Sequence, residues 1–96
     1  MAKGYLIAQL TMTDPTKYSE YGTAATEVLE RFRGRLLVRP ASAVVVEGAP
    51  RPRTTIFEFD SFNRAKAFWE SDEYAPAKKL RDDAADAAFI LIEGVD

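Results

Sequence analysis

The order of hydrophobic periods constrains this chain more than any single motif. A period-two segment comes first, then a helical one, two period-two segments, a second helical one and a last strand-like run. Lys3 to Met12 alternates, with Leu6, Ala8, Leu10 and Met12 on one side and Tyr5, Ile7, Gln9 and Thr11 on the other, as a half-buried strand does. Asp14-Pro15 then opens a helix: Asp14 caps free amides and Pro15 suits the first helical position. Tyr18, Tyr21, Ala25, Val28, Leu29 and Phe32 continue at helical spacing, and Gly34 suits the left-handed position past the helix end.

Arg35 to Arg39 reads as a second strand, interrupted by Pro40-Ala41-Ser42 and resumed as the β-branched run Ala43 to Glu47. Gly48 to Pro52 is a turn, and Arg53 to Asp60 a third strand with Thr55, Phe57 and Phe59 on one face. Ser61 caps a second helix carrying Phe62, Ala65, Phe68 and Trp69, which Ser71 to Pro76 breaks. A further turn or two carries Ala77, Leu80 and Ala84, and Ala87 to Glu93 is the last strand. The 96 residues are expected to form one domain, 1–96, of α+β class.

Two helical segments can cover only one face of such a sheet. Leu6, Ala8, Leu10, Leu36, Val38, Phe57 and Phe59 are placed beneath them. The opposite face carries Tyr5, Ile7, Gln9, Thr11, Leu37, Arg39, Ile56 and Glu58. Left bare, its apolar members form a patch of several hundred Å², roughly the scale at which exposed surface marks a contact. A second copy laid sheet to sheet would cover it and enclose a small pocket. Arg39 and Glu58 would then lie inside, where each needs a partner. In a ligand site, Arg39 holds an anionic group, Glu58 moves a proton, and Tyr5 or Tyr74 donates a hydrogen bond. In a purely structural interface, Arg39 and Glu58 pair with each other.

Composition narrows the chemistry. There is no His and no Cys, which removes the commonest general base and metal ligand, thiolate nucleophiles and disulfides. No cofactor or metal site is expected from these side chains. A net charge of −2 argues against a nucleic-acid partner. No apolar run is long enough to span a membrane, and no signal peptide opens the chain, so a cytoplasmic location is expected. Gln9 shares the pocket face and is a candidate ligand contact.

Lys3-Gly4-Tyr5, Asp14-Pro15 before Tyr18-x-x-Tyr21, and Gly34-Arg35-x-Leu37-Val38-Arg39 follow one another in order. Glu47-Gly48, Glu58-Phe59-x-Ser61-Phe62, Ser71-x-Glu73-Tyr74, Arg81 and Glu93-Gly94-Val95 complete the series. Over essentially its whole length the chain thus resembles the DUF1330 family, small bacterial proteins of uncharacterised function. The resemblance implies a ferredoxin-like βαββαβ subunit, an antiparallel sheet with helices on one face, and pairing as a dimeric α/β barrel. Related barrels include cofactor-independent monooxygenases, muconolactone-isomerase-like enzymes and haem-processing proteins, so the fold alone does not choose a function. Arg81, which follows the family pattern, is by that resemblance a candidate for the pocket mouth, whereas Pro40-Ala41 departs from the family's usual glycine pair and Asp60 from its usual proline. The expected function is a homodimer with a small anionic or carbonyl-bearing ligand. Proton-transfer or oxygenase-type chemistry is one reading, and a non-catalytic ligand-binding or dimerising module the other.

Overall fold

A computed structural model of the chain describes residues 2–38, 40 and 42–96. The elements follow in the order β1 (Gly4–Met12), α1 (Pro15–Arg31), β2 (Arg35–Leu36), β3 (Arg53–Phe59), α2 (Phe62–Glu70), α3 (Ala75–Arg81) and β4 (Ala85–Glu93). The strands form one sheet in the order β2-β3-β1-β4, antiparallel throughout. This is the ferredoxin-like arrangement, with its second helix broken in two. Among the described residues no helix is long and apolar enough to cross a membrane.

The local signals work as their chemistry requires. The Asp14 carboxylate accepts from the Lys17 amide at 3.1 Å, with Pro15 starting α1. Ser61 accepts from the Arg64 amide at the start of α2. Between α2 and α3, the Ser71 hydroxyl donates to the Phe68 carbonyl at 2.8 Å and accepts from the Tyr74 amide at 3.1 Å. One side chain therefore ends the first helix and orders the turn into the second.

The end of α1 differs from the sequence expectation. Arg33, not Gly34, takes the left-handed conformation, with φ 59°. The Arg33 amide bonds back to Glu30 and the Gly34 amide to Leu29, a Schellman closure displaced by one residue. Gly34 is needed for space instead: a Cβ there would lie 2.7 Å from the Leu29 side chain and 2.9 Å from the Phe59 ring.

Register sorts the residues of each strand between the two faces. Leu6 stands between Phe57 and Leu91, and Ala8 between Thr55 and Phe89, all toward the helices. The core there is aromatic: Phe59, Phe68 and Tyr74 are fully buried, with the Phe68 and Tyr74 rings 4.5 Å apart. The other face carries the rows Arg35–Glu58–Tyr5–Ile92 and Ile56–Ile7–Ile90. The two-face division expected for β1 and β3 thus holds.

Four expectations do not hold. β2 is paired only over Arg35–Leu36, with one further bond from the Leu37 amide to Ile56. Pro40 has no amide hydrogen to continue the ladder. Residues 43–47 lie outside any helix or strand, and β3 begins only at Arg53, so its antiparallel ladder does not reach them. Val38, placed beneath the helices from sequence, lines a depression with Ser42, Ala43, Thr54 and Ile56 on the opposite face. β4 begins at Ala85, two residues earlier than expected, so Asp86 sits on the open face opposite Thr11.

Candidate functional site

The sequence-predicted site residues fall on two sides of the sheet. Tyr5, Gln9 and Glu58 share the open face. Tyr74 and Arg81 belong to the helical side, in the layer packed between α1 and α3. Arg39 lies outside the described residues, so the expected Arg39–Glu58 pair is not described either. Glu58 is ion-paired with Arg35, its cross-strand neighbour, and its side chain is only 16% exposed. Gln9 reaches the Thr54 hydroxyl at 3.4 Å. On the open face, then, the carboxylate expected to act as a base already has a cation beside it.

The enclosed space lies on the other side, between α1 and the sheet. A chamber of about 90 Å³ is lined by Leu6, Ala8, Tyr18, Tyr21, Gly22, Ala25, Thr55, Phe57, Tyr74 and Phe89, among others. Three of these are small residues on core-facing positions. A Cβ on Gly22 would meet nothing within 4 Å. The space exists because Ala8, Gly22 and Ala25 do not fill it. A groove of about 340 Å³ adjoins it, sharing Tyr18, Thr26, Leu29, Thr55 and Phe57 and lined also by Glu30 and Arg53.

The polar groups of the chamber are hydroxyls. The Tyr21 and Tyr74 oxygens are 2.8 Å apart and buried. Burial pushes the Tyr21 phenol well above its ordinary range, and its neighbour Tyr74 adds to the effect. Burial likewise raises Tyr74 and Tyr18. All three are neutral donors at physiological pH, not bases. In a hydroxyl pair one proton is shared and the other remains for a second acceptor. Among the described residues neither hydroxyl has a further hydrogen-bond partner.

Arg81 stands behind this pair and is not part of the chamber wall. Its guanidinium lies 4.2 Å from the Phe89 ring centre, 5.5 Å from Tyr21 and 5.9 Å from Trp69. Its Nη1 is buried with no hydrogen-bond partner among the described residues. The charge is held by aromatic faces and partly opposes the rise in the three phenol pKa values. Tyr18 and Tyr21 read from sequence only as part of a helical apolar stripe, and Thr55 only as one face of the third strand. The signal that could have marked them was the set of small residues interleaved with the tyrosines on the covered face.

Solved structures resemble the whole chain. A protein of unknown function from Rhodopseudomonas palustris, RPA0582, matches with a TM-score of 0.79 at 17% identity, over 99% of this chain and 84% of that one. SnoaB, a cofactor-independent oxygenase from Streptomyces nogalater, matches with a TM-score of 0.66 at 8% identity, over 100% and 96%. A dimeric ferredoxin-like protein of unknown function from Thermobifida fusca matches with a TM-score of 0.63 at 10% identity, over 98% and 92%. At these identities the likeness is one of fold. No curated protein sequence matches the chain. The family model for the domain of unknown function DUF1330 matches residues 3–95, and the chain belongs to that family.

Proposed function

We propose that this protein is a homodimeric binding protein for one small, largely aromatic molecule bearing a carbonyl or other acceptor oxygen. The ligand sits in the chamber between α1 and the sheet, not on the open face. The observation that carries this reading is the Tyr21–Tyr74 pair: a buried hydroxyl pair with one donor proton unspent, beside an unfilled apolar space. Burying an unsatisfied donor costs about 1–3 kcal/mol, and an acceptor on a ligand would remove that cost. The adjoining groove gives room for a substituent beyond a single ring. The dimer is supported by the apolar rows of the open face and by the dimeric solved structure of the same fold.

The non-catalytic reading is favoured over proton transfer by Glu58, because its carboxylate is paired with Arg35 on the face away from the chamber. Among the described residues that line the chamber there is no carboxylate, lysine or histidine. The likeness of fold to SnoaB, a cofactor-independent oxygenase, brings oxygenase chemistry as the competing activity.

Acetophenone titrated into the protein tests the reading by amide NMR. Saturable shifts are expected around Tyr21, Ala25 and Thr55, with affinity at least about tenfold weaker in Ala25→Leu, whose side chain fills the chamber. Shifts that do not saturate, or that Ala25→Leu leaves unchanged, would overturn it. Dioxygen consumption with a bound phenol would replace the binding reading with oxygenase chemistry.

A further inference from the structure

Two polar side chains on the helix-covered face of β3 have no partner among the described residues. Thr55 is 7% exposed, and its hydroxyl makes no hydrogen bond there. Arg53 stands two positions earlier on the same face, because strand residues alternate. It lies opposite Leu10 and Thr55 lies opposite Ala8, both buried beneath the helices. Arg53 is half-buried, and its guanidinium has neither an ion pair nor a hydrogen bond among the described residues. A valine at position 55 would suit a core-facing strand without burying a hydroxyl. A desolvated hydroxyl and a half-buried cation are both destabilising unless an acceptor reaches them.

Both belong to the place where the chamber meets the groove. Thr55 and Tyr18 line the two spaces alike, and Arg53 lines the groove. Arg53 is near enough to Tyr18 for its charge to oppose part of the rise that burial causes in that phenol. Tyr18 is thus a third donor, a neutral hydroxyl with no hydrogen-bond partner among the described residues. Glu30 is the one carboxylate among the described residues lining the groove; it is exposed and makes no ion pair with Arg53. A guanidinium flanked by two hydroxyl donors suits a carboxylate. The cation supplies charge and a fork of N–H groups, and the hydroxyls reach the remaining lone pairs. A dianion such as phosphate would meet a single arginine with a glutamate nearby, so a monoanion matches the charge better.

We propose that the ligand of the chamber is an aromatic carboxylic acid, its ring between α1 and the sheet and its carboxylate at the junction with the groove, held by Arg53 with the Thr55 and Tyr18 hydroxyls. Its second acceptor oxygen faces the Tyr21–Tyr74 pair. This inference rests on the chamber reading above and adds the charge of the ligand and the residue that recognises it.

Acetophenone, 3-acetylbenzoate, 4-acetylbenzoate and the neutral amide of the tighter acid are titrated into the protein and followed by amide NMR. The tighter acid is expected to bind about tenfold or more above acetophenone and above its own amide, an excess that shrinks as salt is raised. Arg53→Gln should abolish the excess, and Arg53→Lys should restore part of it. Thr55→Val should weaken the acid by about threefold while the protein folds as stably as before, since no internal hydrogen bond is lost. Acids that bind no tighter than acetophenone, or whose excess survives Arg53→Gln, overturn the carboxylate site and leave the chamber reading standing. An acid that needs Arg53 but is indifferent to Ala25→Leu marks an anion contact outside the chamber and overturns the proposal as well. If acetophenone and the acids all fail to saturate, the chamber reading falls and this inference falls with it.

Discussion

Tyr21 and Tyr74 are hydrogen-bonded to each other inside an aromatic cluster, and their protonation state is what makes them donors. The folded protein raises both phenol pKa values above the ordinary 10.0, while the unfolded chain leaves them there. Between about pH 10 and the folded values the unfolded state therefore releases protons that the folded state keeps. Stability is unaffected below that window and falls as pH rises through it. Urea unfolding is expected to show a stability decline beginning near pH 10, and the double variant Tyr21→Phe/Tyr74→Phe should flatten the slope. An equal slope in the double variant would mean that the alkaline loss arises elsewhere. Tyr21 was legible on the apolar stripe of its helix from spacing, and Tyr74 as a residue at a pocket. Their mutual contact joins residues far apart in the chain, and no local pattern encodes that.

At the scale of elements, α1 shows how one residue shifts when packing requires it. The helix stop was readable from Gly34, yet the left-handed turn falls on Arg33. Gly34 is held in close approach to Leu29 and Phe59, where a Cβ would not fit, while the positive φ falls on Arg33. Arg33 bears a strain of about 1 kcal/mol in that conformation. Arg33→Gly should remove most of it and raise stability by about 0.5–1 kcal/mol, read from the midpoint of urea unfolding at unchanged slope. No gain would mean that the Arg33 side chain contributes a compensating contact.

At the scale of the molecule, one sheet face is covered by helices and the other is not. Ile90 is 57% exposed on the bare face, in a row with Ile7 and Ile56. On a monomer, Ile90→Asp would be a surface change within about 0.5 kcal/mol. In the proposed dimer it places a charge in an apolar contact, and sedimentation should show a monomer at micromolar concentration. A variant that remains dimeric would separate this face from the interface.

The sequence alone determined the α+β class, the order of elements, both N-caps and the division of β1 and β3 into two faces. Each of these follows from periodicity or from a side chain acting on its neighbours along the chain. The tertiary structure decided where β2 stops: its ladder ends at Leu36 opposite Phe57, although β3 runs on to Arg53 and the β-branched run comes only later in the chain. It also decided which side of the sheet holds the enclosed space. Ala8, Gly22 and Ala25 come from two elements, and the chamber between them appears only when α1 is laid on the sheet. Likewise it is register that sets Glu58 beside Arg35 and leaves Tyr74 and Arg81 on the opposite side, since pairing across strands depends on how the whole sheet is assembled.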